Sequence, residues 1–474
     1  MKFSEMKYTR PDVVAIQMAY RDMAQRFPLC DSPEEQLALL DQHEAFLKDL
    51  RTMGNLAYIR NSIDTTDPFY REEQQFFDES LPVLQEDIQK FMDQVLASPF
   101  RGELEKATGE LFFRNQEIAK KTFSPEIIPL MQEENRLATE YERLLASARI
   151  AIQGEECNLS ESIRYQTAPD RALRREAWEK TDAFFAEHGE RLDALYDALV
   201  KCRTQQARKL GYENFVQLGY DRLGRNCYTP ADVAAFRDQV AADLVPVVEQ
   251  LKEGQAARLG LSELRFWDED TLLPQGNPAP IGGQEALVEA AQQMYREMSP
   301  QTGEFFDFMV ENQLFDLQSK KGKAGGGYCT ELPSYQSPFI FANFNGTVDD
   351  VEVLTHEAGH AFAAYRARNL RYLENTTPTM ESAEVHSMAM ELFSRPWDES
   401  FFGEKAEEFR SYQLENCLDF IPYGTMVDEF PARVYEHPEM TPLQRKEVWA
   451  QLEKKYRPWL SFEGLPYFAA GGYY

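Results

Sequence analysis

The chain has 474 residues, a formal net charge of −29, 43% hydrophobic and 27% charged side chains. That length buries a large core in one elaborate or two coupled domains, and the composition is that of a folded globular protein rather than a disordered one. The charge argues against nucleic acid as a partner, because phosphate backbones are bound by concentrated basic surfaces.

The N-terminus, MKFSEMKYTRPDVV, lacks the apolar run of a secretory leader. No run of about 18 apolar residues occurs, so no membrane partner is expected. Cys30, Cys157, Cys202, Cys227, Cys329 and Cys417 form no C-x-x-C pair and read as reduced thiols, with a cytoplasmic location as the default. Val13, Ile16, Tyr20, Met23 and Phe27 step by three and four, which predicts one buried helical stripe. Similar patterns predict helices over 34–60, 69–97, 101–118, 125–150 and 169–210. Thr229-Pro230-Ala231-Asp232 is a helix start, and Val233, Phe236, Val240, Leu244 and Val247 continue its stripe. Residues 274–283, PQGNPAPIGG, read as a surface loop, and Gly325–Gly327 as a flexible one. Phe339–Phe344, bounded by Pro338 and Asn345-Gly346, is the best strand candidate.

The stretch VLTHEAGHAF (353–362) carries the first chemistry. Thr347 can cap a helix with Asp350 in its first turn, running to about Arg368. On that helix His356 and His360 stand at i and i+4, so both imidazoles can reach one ion. Glu357 is rotated by about 100° and can reach a water beside the metal without ligating it. Ala358 and Gly359 remove bulk, so another backbone can pass close. A longer pattern, H-E-x-x-H-x-x-G-x-x-H, fails at Ala363 and Arg366, so the third ligand comes from elsewhere.

Met380–Phe393 reads as a second helix folding back on the first. Glu384 and Glu391, seven apart, share a face, and Glu381 lies one turn earlier. His386 is about 200° from Glu384, so one straight helix cannot offer both to one ion. Glu384 is the favoured ligand, with Glu391 behind it orienting a histidine; His386 is the alternative. His43, His188 and His437 have no motif around them and read as surface residues.

HEAGH at 356–360, followed 24 residues after His360 by Glu384 in ESAEVHSMAMELF, resembles the M3 family of zinc metallopeptidases, and within it the oligoendopeptidase F branch. ARKLGYENF (207–215), GGGYCT (325–330), FANFNGT (341–347) and VDEFPARVY (427–435) stand in that family's order. The resemblance implies a mainly α fold, with two helical lobes flanking a deep substrate channel and a small β-sheet next to the H-E-x-x-H helix. It divides the chain into an N-terminal helical lobe, 1–155, and a catalytic domain, 156–474. It implies one zinc per chain on His356, His360 and Glu384, Glu357 as general base and acid, and short oligopeptides cleaved at internal bonds. Phe339, Phe341, Ala342, Asn343 and Phe344 resemble a strand whose edge pairs with substrate; the alternative is a plain core strand. Gly326, Gly327 and Tyr328 belong to a loop resembling one that closes over substrate.

The chain departs from that family at Phe468-Ala-Ala-Gly-Gly-Tyr-Tyr474, where it stops and the family continues into a helical segment carrying a histidine and tyrosines that face the metal. No histidine follows His437. One expectation is therefore an active endopeptidase. The other is a zinc- and peptide-binding chain impaired in catalysis, completed by a missing C-terminal segment or a second polypeptide. Tyr423 is the candidate substitute donor.

Overall fold

The computed structural model describes residues 1–473. Each long N-terminal helix starts where a short polar side chain can hold a free backbone N–H. The Asp12 carboxylate accepts from Ala15 N ahead of α1 (Val13–Arg26), Ser32 from Glu35 N ahead of α2 (Pro33–Ile63), and Asp67 from Phe69 N ahead of α3 (Pro68–Leu96). These helices close over Tyr20, Phe27, Leu40 and Phe91. The helix predicted over 101–118 is two, Arg101–Thr108 and Glu110–Lys121, broken at Gly109 with φ 93°. Only glycine adopts that backbone without strain. A short hairpin, β1 (Ile150–Ile152) and β2 (Glu155–Cys157), precedes the long α4 (Arg171–Lys209). The stripe after Thr229 passes through a π-helical turn at Val240–Leu244 and resumes over Val245–Arg258.

Three strands form the sheet that organises the second half. β3 (Phe315–Gln318) runs parallel and β4 (Tyr328–Leu332) antiparallel to β5 (Ser337–Phe344), in the order β3-β5-β4. The predicted strand therefore exists but is central. Both its edges are occupied, and Phe339, Ile340, Phe341 and Ala342 are fully buried. The expectation that the edge of Phe339, Phe341, Ala342 and Phe344 meets a peptide is corrected, since a continuous apolar run marks a strand covered on both faces. The free edge nearest the histidines is β4.

Behind β5 lies α5 (Asp349–Ala367), followed by α6 (Met380–Ser394), α7 (Ala406–Glu436) and α8 (Pro442–Tyr456). The sheet, α5 and the helices before β3 share one core containing Phe305, Phe306, Phe339, Phe341 and Leu354. Thr347 does not cap α5. The Asp350 carboxylate instead reaches back and accepts from the N–H groups of Asn345 and Gly346, both at 2.9 Å. A residue inside the first turn thus ties down the chain entering the helix.

His43 is a second correction: it is buried against Tyr20, whose hydroxyl lies 3.0 Å from its Nδ1. His188 is half-buried against Phe184, and His437 is exposed. Among the described residues all six cysteines are free and no helix is long and apolar enough to cross a membrane.

Candidate metal centre

Gly359 sets the spacing of α5 and α6. A Cβ there would lie 2.6 Å from both the carbonyl oxygen of His386 and Cα of Ser387. Without that Cβ the helices touch backbone to backbone, as the small pair Ala358-Gly359 led us to expect. The approach carries Glu384 over the two histidines. Its Oε2 lies 3.2 Å from His356 Nε2, and its Oε1 lies 3.7 Å from His360 Nε2.

Those three side chains offer ligand atoms all within 4.8 Å of one another. Two imidazole nitrogens and one carboxylate suit a divalent zinc, and a shared ion would answer lone pairs that otherwise face each other. The far side of His356 is also arranged for this. Its Nδ1 lies 2.7 Å from Glu391 Oε1, which leaves Nε2 on the Glu384 side. Ser387 Oγ donates to Glu384 Oε2 at 2.8 Å, fixing that carboxylate.

Glu357 points elsewhere. It is buried, and its Oε2 has no hydrogen-bond partner. Burial pushes its carboxyl up to about 7, with His356 opposing and Glu384 adding to the shift. For His356, burial disfavours the charged ring, but the bond to Glu391 and the charges of Glu357, Glu391 and Glu384 raise it overall. Burial lowers His360, with Glu384 opposing and His356 and His386 assisting. An uncompensated, buried carboxyl beside a cluster able to hold a metal ion has the setting that a general base requires.

The centre opens into a groove of about 640 Å³. Cys329, Thr330 and Glu331 of β4 form one wall, with Arg51 and Asn55 of α2 beside them. Asn55 Nδ2 donates to the Glu331 carbonyl at 2.6 Å and to Thr330 Oγ1 at 3.1 Å, coupling the N-terminal helices to the strand. A second cavity of about 620 Å³ between α2 and α3 shares Arg51, Asn55 and Thr377 with the groove. The space therefore extends from the histidines in among the N-terminal helices.

Of the residues predicted to bind substrate, Gly327 and Tyr328 line this groove. A Cβ on Gly327 would lie 3.2 Å from Val353 Cγ1 and 3.5 Å from Glu357 Oε1, so glycine keeps the space beside the carboxylate clear. Tyr328 stacks on Phe341 with ring centroids 4.7 Å apart. Phe339, Phe341, Ala342 and Phe344 lie behind the wall, and the Asn343 amide holds the glycine loop by donating to the carbonyls of Ala324 and Gly326, both at 2.8 Å. His386 lines the groove outside the triad, and Glu381 pairs with Arg225. Tyr423 lines a different cavity, 4.9 Å beneath the Arg457 guanidinium. Sequence reasoning missed β4, Arg51 and Asn55. The β-favouring Tyr328-Cys329-Thr330 was the available signal, but the glycine triplet before it read as a loop.

Comparison with known proteins identifies the family and the fold. The model of the peptidase M3 N-terminal domain matches residues 3–123, and that of peptidase family M3 matches residues 164–276 and 299–467. Oligopeptidase PepF of Bacillus subtilis (strain 168) is 26% identical over 215 residues, 42% of this chain and 30% of that protein, so the matched stretch spans under a third of the relative. A solved structure of PZ peptidase A with an inhibitor superposes with a TM-score of 0.98 at 44% identity, over 99% of this chain and 84% of that one. An oligoendopeptidase F structure gives 0.99 at 46% identity, over 100% and 84%. One described as oligoendopeptidase F from Bacillus anthracis str. Ames gives 0.95 at 44%, over 100% and 86%. The H-E-x-x-H helix and its acidic partner therefore sit in a frame shared along the whole described chain: the protein belongs to peptidase family M3, with the fold of the oligoendopeptidase F structures.

Proposed function

We propose that the chain is a zinc-dependent endopeptidase that hydrolyses internal bonds of short oligopeptides. The observation that carries this reading is the buried, unpartnered Oε2 of Glu357 beside the His356–His360–Glu384 cluster. His356, His360 and Glu384 would hold the ion, and Glu391 and Ser387 keep two of those ligands oriented. A zinc held there supplies Lewis acidity toward a water and the scissile carbonyl.

Glu357 takes the proton of the attacking water on Oε2 and passes it to the leaving nitrogen. Its raised pKa suits both transfers near neutrality, since a much stronger acid would not accept the proton. Gly327 leaves room for the peptide beside that carboxylate. The outer edge of β4 around Cys329, beside the Glu331 carbonyl that Asn55 already holds, is the surface on which an extended backbone can pair, giving affinity with little dependence on side chains. The names of the matched relatives, an oligopeptidase and two structures described as oligoendopeptidase F, support short peptides as the substrate class.

The test is cleavage of an internally quenched oligopeptide by zinc-loaded protein, with bound metal quantified in the same sample. Glu357→Gln should keep the metal and lose roughly 10²–10⁴-fold in kcat. Undiminished activity in that variant, or failure of the wild type to retain zinc, would overturn the reading.

A further inference from the structure

The cavity of about 620 Å³ between α2 and α3 meets the catalytic groove at Arg51, Asn55 and Thr377, and its lining is divided in kind. One side is apolar: Leu47 and Leu50 of α2 and Phe77, Leu81, Leu84 and Ile88 of α3. The other side carries the acids Glu44, Asp78 and Glu374.

Those acids already have their donors. Glu44 Oε2 accepts from the Leu373 N–H at 2.8 Å. The two oxygens of Asp78 accept from Thr139 Oγ1 at 2.8 Å and Gln74 Nε2 at 2.9 Å, and Glu374 Oε1 accepts from Asn115 Nδ2 at 2.9 Å. What lacks a partner is the apolar side. Leu81 is 41% exposed, while Leu84 on the next turn is 1% exposed in the packed core. A wall of this kind takes up apolar groups, since covering exposed hydrocarbon is favourable and the bonded acids need no cation.

The turn that presents Leu81 is built into the fold. Pro82 stands inside α3 and, having no N–H, leaves the Asp78 carbonyl without its helical donor. Asn135 Nδ2 supplies one at 2.9 Å, and Gln132 Nε2 donates to the next carbonyl, that of Glu79, at 2.7 Å. The helix Ile128–Ala146 thus secures the interrupted turn at the level of the cavity.

The cavity also lies within reach of a peptide at the metal centre. Gly327 is beside Glu357, and the Glu331 carbonyl is bonded to Asn55, which lines both spaces. Four residues of extended chain separate them, about 13 Å. A peptide following β4 from Cys329 therefore arrives at Asn55 three or four residues away from the bond beside Glu357.

We propose that this cavity is a distal subsite of the groove, which receives a large apolar side chain carried by the bound peptide three or four residues from the cleaved bond. The proposal rests on the endopeptidase reading, because the peptide is held in the same groove, but it concerns selectivity and can fail separately.

The test is equilibrium binding of fluorescent peptides to the Glu357→Gln protein. Phenylalanine is walked along a soluble alanine- and serine-based decapeptide, and the preferred position is then replaced by the photoreactive p-benzoylphenylalanine. Phenylalanine at one position, or at two adjacent ones, should bind about tenfold tighter than alanine there. The photoreactive peptide should cross-link to α2 within 47–50 or to α3 within 77–88, located by mass spectrometry. Leu81→Trp, which fills the cavity from a half-exposed position, should reduce the preference to about twofold or less. Equal binding of all positions overturns the proposal, as does a preference untouched by Leu81→Trp. Cross-linking instead to Val385–Phe393, which line another apolar cavity bordering the groove, also overturns it. The walk and the cross-link need no change at Leu81, so misfolding of that variant cannot mask the result. Position-selective binding and the α2 or α3 cross-link without cleavage of any peptide by the wild type would sustain this subsite and refute the peptidase reading; cleavage without the preference would do the reverse.

Discussion

Glu391 Oε1 lies 2.7 Å from Nδ1 of His356, while Nε2 of the same ring faces Glu384 Oε2 at 3.2 Å. Two carboxylates one heptad apart on α6 thus bracket a single imidazole of α5. With Nδ1 donating to Glu391, the ring is held in the tautomer whose Nε2 lone pair is free for a metal. Glu391→Ala should therefore weaken zinc binding by about 10–100-fold, read by competition with a chromophoric chelator. Glu391→Gln keeps an acceptor oxygen and should recover part of that loss. Equal affinity in wild type and the alanine variant would mean that packing alone orients His356.

Gly359→Ala places a methyl 2.6 Å from the backbone of His386 and Ser387, where no rotamer change can relieve it. An alanine in place of a helical glycine ordinarily stabilises by up to about 1 kcal/mol. Here the sign reverses, and the forced separation of α5 and α6 should cost about 1–3 kcal/mol in urea denaturation and weaken metal binding as well. Gly254→Ala is the control, since a Cβ at that helical glycine meets nothing within 4 Å. It should stabilise the protein or leave it unchanged.

Periodicity located most of this fold because its helices are long and capped by their own neighbours, as Asp12, Ser32, Asp67 and Thr229 show. The clustering of His356, His360 and Glu384 was legible for a related reason: i, i+4 spacing puts two side chains on one face of any helix, and the α6 acids offered one face. What escaped was tertiary. Residues 339–344 look the same in sequence whether the strand is central or at an edge, and only its pairing with β3 and β4 decides which. β4 has five residues and follows three glycines, too short for its period to show. His43 carries no motif because burial beside Tyr20 is decided by helix packing across α1 and α2. Asp350 could be read as a first-turn acid, but its role in gripping Asn345 and Gly346 depends on the path of the loop.

Pairing of substrate on the β4 edge, as proposed, makes its own demand on the peptide. One side of the strand is bonded to β5, and Cys329, Thr330 and Glu331 face the groove. On a strand, successive N–H groups point to opposite sides, so a paired peptide uses every second amide. Substrates N-methylated one position at a time should show KM raised by about tenfold at alternate positions and little changed between them. A uniform response along the peptide would exclude strand pairing and leave side-chain pockets to hold the substrate.

His43 gives the stability of the N-terminal helices a pH dependence of defined sign. Burial lowers its pKa to about 4, against about 6.5 for an exposed imidazole. Below 6.5 the unfolded chain takes up a proton that the folded ring refuses, so folding loses stability as pH falls toward 4 and is unaffected above 7. Other groups titrate over the same range, including Asp349 and Asp350, whose burial raises them to about 6 and acts in the opposite direction. The difference between wild type and His43→Gln isolates the histidine. The stability of the wild type relative to that variant should fall by about 1 kcal/mol between pH 7.5 and 5.5 in urea denaturation. A difference that stays constant across that interval would mean that the folded ring titrates as it does in the unfolded chain, so that burial against Tyr20 does not hold it neutral.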